Sequence, residues 1–189
     1  MQSLIGIMGQ KGSGKDTIAD YIVQNYSDYS KRSLAEPLKR ACQEIFLFSD
    51  DQLYGTQDQK EELDNRWFGC SPRTCLQYVG TELLRDQMNK IMPGIEHNIF
   101  THHFELWYTQ NKGNIIVPDI RFENEAEMIK KLGGNIIKII RPSLIQTDMH
   151  SSEVTSNSIT GYDYTILNNG LLGDLYQQVD NIMKRINAL

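Results

Sequence analysis

Cysteine and proline are both sparse in this chain of 189 residues, with three of the first and five of the second. Cys42, Cys70 and Cys75 form no CxxC pair, and an odd number of thiols suits reduced side chains better than a disulfide framework. They are expected to be small apolar fillers, which argues against zinc and redox chemistry. Long apolar runs are also missing, so no membrane span is expected. The start, Met1-Gln2-Ser3-Leu4, lacks the basic and apolar regions of a signal peptide, and the expected location is the cytoplasm. Nor is positive charge in excess. A formal net charge of -5 argues against a broad nucleic-acid or anionic-membrane surface. It leaves small anions open, because a local pocket of arginines, lysines and backbone amides is enough to hold one.

What is present is an alternation of strand and helix without repeats or low-complexity tracts. Leu4 to Met8 reads as a buried strand, and Ile18, Tyr21, Ile22 and Tyr26 recur at helical spacing. A short strand near 30–34 precedes a helix carrying Leu38, Ala41, Cys42, Ile45 and Phe46. The polar stretch "SDDQLYGTQDQKEELDNRW" departs from the pattern, and its acidic part reads as a solvated face or loop. A helix then starts cleanly, with Ser71 as N-cap and Pro72 at the first helical position. It is expected to run through Leu76, Val79, Leu83, Leu84 and Met88, the leucine stripe facing the core. A further helix is expected around 97–110, then the strand "NIIVPD", a helix from near Phe122 to Gly133-Gly134, the strand "NIIKII", the strand and turn "DYTILNNG", and a final helix from Leu171.

Such an order implies an α/β fold: about five parallel strands with helices on both faces, in three layers. A single domain over 1–189 is expected, with an insertion at about 47–112 and a small lid at about 141–162. In these sheets ligands sit at the carboxyl ends of the strands. The residues singled out below all follow a strand or open a helix.

"GQKGSGKDT" at 9–17 follows the first strand and opens the first helix. Glycines let backbone amides turn inward around phosphate oxygens, a lysine reaches the outer phosphates, and a helix N-terminus stands behind them. Gly9, Gly12, Gly14 and Lys15 supply these parts, with Ser13 between the last two glycines. Asp16 stands where a hydroxyl usually ligates Mg²⁺. A carboxylate is also a hard oxygen ligand, direct or through water. Thr17 still offers a hydroxyl and an amide to an inner phosphate. Lys11 lies where a side chain would face the outermost phosphate and its acceptor; the alternative is a solvated surface lysine.

Arg73 sits in the first turn of its helix, where a cation opposes the dipole unless an anion is present. A phosphate pocket explains it; so does an arginine bending back to an acid such as Asp64. Asp119 and Arg121 follow "NIIVP". The aspartate is placed to hold water on a metal or orient a substrate group, and the arginine to neutralise a transferring phosphoryl. A structural Asp–Arg pair is the competing explanation.

"GQKGSGKDT", "LAEPLKR", "SPRTCLQYVGTELLRD", "DIRFENEAE", "HSSE" and "ILNNGLLGDL" together resemble, in this order, the segments of the bacteriophage-type deoxynucleoside monophosphate kinases, including that family's Gly-Lys-Asp-Thr variant of the loop. The resemblance spans nearly the whole chain and is weakest over 47–69 and 141–160. It implies transfer of the γ-phosphoryl group of MgATP to a deoxynucleoside monophosphate. On it, Gly12, Ser13, Gly14, Lys15, Asp16 and Thr17 would hold ATP, with Asp16 toward Mg²⁺ and Asn168 to Gly170 near the adenine. Lys11, Lys39, Arg73, Gln77 and Asp119 would hold the monophosphate. Arg121 would bridge donor and acceptor, and Lys15, Arg73 and Arg121 would carry the catalysis. Glu153 would lie in the lid. A homodimer is compatible with all of this.

A kinase of another phosphorylated metabolite on the same fold, of the dephospho-coenzyme A or shikimate type, shares these features. A GTP switch does not: "NKGN" at 111–114 lacks the aspartate of NKxD, and "DIRF" lacks the glycine of DxxG. A non-catalytic nucleotide-binding module would not require Lys11, Arg73 and Arg121 together. His97, His102 and His103 lack zinc spacing and are expected on a helix surface.

Overall fold

A computed structural model describes residues 2–144 and 159–188. Of the expected lid at about 141–162, residues 145–158, with Glu153, fall outside them. The chain divides into two compact units, residues 1–34 with 105–189 and residues 35–104.

The first unit is a five-stranded, all-parallel sheet in the order β2-β3-β1-β4-β5. Its strands are β1 (Leu4–Met8), β2 (Tyr29–Lys31), β3 (Asn114–Ile120), β4 (Asn135–Ile140) and β5 (Tyr164–Leu167). The central strand β1 is buried along its whole length, as its run of Leu, Ile and Met requires. Neighbours of β1 lead in opposite directions through the chain, so its carboxyl end is the point where the strand order reverses. A ligand crevice belongs there.

Pro118 sits inside β3, where a proline cannot donate to the ladder. Between β1 and β3 the register steps from Gly6↔Val117 to Met8↔Ile120, so one extra residue is accommodated in β3. This bulge absorbs the proline and re-aims the residue after it, Asp119.

The helices cover both faces. Ile5, Ile7, Ile137 and Ile139 pack with Ile18, Ile22, Val179 and Met183 from α1 (Lys15–Asn25) and the C-terminal helix (Leu172–Ile186). Tyr21 and Tyr26 both donate to Asp180, and Tyr21 stacks on Tyr176 at 3.9 Å, tying these two helices together. On the other face Gly6 lies against Ile129 of the helix Glu123–Lys131; a Cβ there would stand 3.2 Å from that side chain. No helix among the described residues is long and apolar enough to cross a membrane.

The second unit holds α2 (Glu36–Phe46), α3 (Asp50–Tyr54), α4 (Gln57–Glu61) and α5 (Pro72–Tyr78) around Leu38, Cys42, Phe48, Leu53, Cys75 and Phe100. The polar stretch is therefore short helices rather than loop alone. Ser49 and Thr56 each close a capping box, with Gln52 and Gln59 answering. Ser71 caps α5 as expected, accepting from the Thr74 N–H. Beyond Tyr78 the expected regular helix widens: the Val79 N–H is shared between the carbonyls of Cys75 and Leu76, and Val79–Gln87 is a π-helix. Wider turns change the angular spacing. Leu76, Val79 and Leu84 still reach the core, but Leu83 is rotated out and is 45% exposed, a correction to the expected stripe.

The three cysteines are free thiols, and burial pushes Cys75 up to about 12, so its reactive thiolate is disfavoured. The next helix, α6 (Ile99–Gln110), begins after His97. His97, His102 and His103 are exposed, and His97 Nδ1 approaches Asp86 at 3.4 Å.

Asp64 organises the loop before α5. Its carboxylate accepts from the Arg66 guanidinium at 2.6 Å, the Arg66 N–H and the Gln52 amide, and its backbone pairs with Cys70. These donors, Arg66 first, hold its pKa well below the ordinary carboxylate value. A depressed folded pKa stabilises above the unfolded value, about 3.9, and that stabilisation is lost as pH falls toward the folded value. The stability gap between the native chain and Asp64→Asn should therefore stay level from neutrality to about pH 5 and shrink below it. Urea titrations across that range test this; a gap constant into acid would show that the charge of Asp64 contributes nothing.

Candidate active site

The loop after β1 has to meet two demands. Its N–H groups must converge on an anion, and its carbonyls, turned the other way, must find partners elsewhere. Gly9 and Gly14 make the path possible. At Gly9 (φ +153°) a Cβ would meet the Ile139 carbonyl at 2.6 Å, and at Gly14 (φ +107°) the Asn168 amide nitrogen at 2.9 Å.

Four of the carbonyls, those of Gly9, Gln10, Gly12 and Ser13, are held by side chains, and Gln10 O also receives the Ser13 N–H at 3.1 Å. Lys15 Nζ donates to Gly9 O at 2.6 Å and Gln10 O at 2.7 Å. Arg141, the residue after β4, donates through Nη1 to Gly12 O at 3.1 Å. Asn168, the residue after β5, donates through Nδ2 to Ser13 O at 2.8 Å. Its own backbone N–H is anchored on Ile140 O at 2.8 Å. Ser13 is buried, and among the described residues its hydroxyl has no hydrogen-bond partner. The carboxyl ends of β1, β4 and β5 thus meet around one cradle.

That cradle opens into a cavity of about 360 Å³ lined by Gly12, Gly14, Lys15, Asp16, Thr17, Arg141 and Asn168, with Leu172 and Leu175 as its apolar wall. Asp16 and Thr17 open α1 and are solvent-exposed. No cluster of three or more metal-binding side chains occurs among the described residues. A lone carboxylate suits Mg²⁺, which usually takes one or two protein oxygens and completes its shell with phosphates and water. Gly170 lies at the start of the last helix, with Asp174 receiving the neighbouring Leu171 N–H at 3.0 Å.

Asp119, expected to hold metal-bound water, orient a substrate group or pair with Arg121, also ties two backbone segments together. Its carboxylate accepts from Ser33 Oγ at 2.5 Å and from the Leu34 N–H at 3.0 Å, tying the end of β3 to the turn after β2. Arg121 follows directly, its backbone N–H and that of Phe122 both donating to the buried Glu125. Arg32, beside Ser33, lays its guanidinium 4.7 Å from the Trp107 ring centroid. Lys11 is half-buried in the loop.

In the second unit, Lys39 stands 4.5 Å from the Tyr54 ring centroid. Arg73 and Gln77, both half-buried, are four apart on α5 and so share a face. Arg73 does bend to an acid, but to Glu61 at 3.1 Å, with Gln57 beside it; Asp64 is committed to Arg66.

Three residues of these sites escaped the sequence reading. Arg141 had a signal, being the first residue after a strand at the active edge. Glu61 and Ser33 had none, since only the tertiary fold brings them to Arg73 and Asp119.

A solved structure of TT1252 from Thermus thermophilus shares this fold, with a TM-score of 0.50 at 16% identity over 97% of each chain. The Enterobacteria phage T4 deoxynucleotide monophosphate kinase is 26% identical over 96% of this chain and 98% of its own. A protein of Acanthamoeba polyphaga mimivirus, provisionally named a deoxynucleotide monophosphate kinase, is 52% identical over 93% of each. The family model for deoxynucleotide monophosphate kinase matches residues 3–68 and 49–179. Agreement of this extent settles the kinship: the chain belongs to the deoxynucleotide monophosphate kinase family.

Proposed function

We propose that the chain moves the γ-phosphoryl group of MgATP to a deoxynucleoside monophosphate, giving the diphosphate and ADP. The observation that carries this reading is the loop at 9–14, whose carbonyls at Gly9, Gln10, Gly12 and Ser13 are bonded by Lys15, Arg141 and Asn168, while the Ser13 N–H closes a tight turn onto Gln10 O at 3.1 Å.

Phosphoryl transfer asks for alignment and charge neutralisation more than for a base, because the acceptor phosphate is already an anion at neutral pH. In this reading the amides of Gly12 and Gly14, the Ser13 amide once released from Gln10 O, and the N-terminus of α1 bind the donor phosphates. Lys15, already at the cavity wall, meets the outer phosphates. Thr17 serves an inner phosphate, and Arg141, already at the cavity, adds a second fixed cation. Asn168 and Gly170, with Leu172 as apolar wall, border the adenine. Asp16 is the residue that holds Mg²⁺, which when bound withdraws charge from the phosphate oxygens.

Lys11, Lys39, Arg73 and Gln77 bind the monophosphate, and Arg121 neutralises charge on the group in transfer. Asp119 acts by fixing the Ser33–Leu34 turn and the strand end that carries Arg121. Glu153, outside the described residues, belongs to the lid in this proposal. Closure over the phosphates keeps water from competing as acceptor.

A coupled ADP-release assay with MgATP against dTMP, dGMP, dCMP, dAMP and their ribose counterparts should show turnover with one or more deoxynucleotides. Lys15→Ala should lower kcat/KM roughly 100-fold or more. ADP release that ignores every nucleotide acceptor would overturn the acceptor assignment.

Gly14→Ala forces a Cβ against Asn168 in a backbone conformation hostile to it, and should cost about 100-fold in kcat/KM with the circular dichroism spectrum unchanged. Near-native activity in that variant would mean the cradle does not position the donor.

A further inference from the structure

The guanidinium of Arg73 has two usable edges. One is formed by Nε and a hydrogen of Nη2, the other by Nη1 and the second hydrogen of Nη2. In the structure the first edge faces α4. Nε lies 3.1 Å from Glu61 Oε1, and Nη2 donates to Gln57 Oε1. Nε is buried and makes a close ion-pair approach to Glu61 rather than an aligned hydrogen bond. Among the described residues nothing bonds Nη1.

Gln57 and Glu61 are four apart on one short helix, so both oxygens come from the same face. That helix is fixed at its start by the Thr56–Gln59 capping box and packs against α5. The side chain of Arg73 is 24% exposed and that of Glu61 is 49% exposed. An ion pair of such exposure contributes little to stability, so holding the fold together does not explain it. What it does is remove the rotamer freedom of a long side chain before any ligand arrives.

We propose that Gln57 and Glu61 are positioning residues for Arg73: α4 takes one edge of the guanidinium so that the other is presented, already ordered, to the phosphate of the acceptor nucleotide. The inference rests on the reading of Arg73 as an acceptor-binding residue. Glu61 meets Nε as an ion pair without an aligned hydrogen bond, so its negative charge is the part that orients the cation, and an isosteric amide should lose that as a truncation does.

Steady-state kinetics against the best deoxynucleotide of the panel test it. Glu61→Ala should raise KM for the monophosphate roughly three- to tenfold, the cost of ordering one long side chain at binding, with kcat and the KM for ATP within about twofold of native. Glu61→Gln, which keeps the shape but not the charge, should show most of the same loss. In an Arg73→Ala background, Glu61→Ala should add nothing. Gln57→Ala carries the same test should Glu61→Ala fold poorly by its urea midpoint.

If Arg73→Ala raises the monophosphate KM and neither α4 variant does, the clamp is refuted while the acceptor reading stands. If the Glu61→Ala effect persists in the Arg73→Ala background, Glu61 acts without Arg73 and the inference falls. If Arg73→Ala leaves the monophosphate KM unchanged, the acceptor reading fails and takes the inference with it.

Discussion

A loop that offers its amides to phosphate must hide its carbonyls, and that constraint shapes the first unit. The loop at 9–14 has no strand or helix to absorb them, so side chains do it: Lys15 for Gly9 and Gln10, Arg141 for Gly12, Asn168 for Ser13. Two of the three donors stand on the first residue past a strand, one after β4 and one after β5. The parallel sheet is what brings those positions level with the end of β1. Ordered donors of this kind do not reorganise when charge develops, which is where preorganised sites gain their advantage. Arg141 and Lys15 add a second economy, because each can bond a carbonyl and still lie at the cavity wall.

The same edge of the sheet contains the bulge in β3. Pro118 would break a regular ladder, and the extra residue removes the conflict by letting the register slip. The consequence is local and specific. Asp119 turns to the Ser33–Leu34 turn, and the backbone of Arg121 is caught by a buried glutamate. The end of β3 is thereby held on both sides, by β2 through Asp119 and by the following helix through Glu125. An arginine just past a strand end presents its side chain reproducibly only if its backbone does not wander.

How far the sequence alone carries can be judged residue by residue. The strand-loop-helix at 4–25, the parallel order and the cap at Ser71-Pro72 were legible, because hydrophobic period and backbone chemistry are local. The helices at 50–54 and 57–61 were hidden in a polar tract without apolar periodicity; their capping boxes were the signal available. The widening at Val79 was not legible, since the same leucines suit a regular helix, and only packing decides that Leu83 turns outward. Arg73 was recognised by its misfit with the helix dipole. Its partners were not, because Glu61 lies twelve residues away across a turn whose path depends on Asp64 and Arg66.

The two candidate phosphate-binding places also differ in kind. At the loop, recognition comes from backbone amides, so the requirement falls on residues with no side chain: Gly9 and Gly14 are fixed by atoms 2.6 Å and 2.9 Å from where a Cβ would sit. Such a site is readable as a motif and intolerant of substitution. At Arg73, recognition comes from a side chain held by other side chains on a separate short helix, and several residue types can supply an oxygen there. That site leaves a fainter mark in the sequence and has more freedom to change. Rigidity therefore belongs to the first place and adjustability to the second.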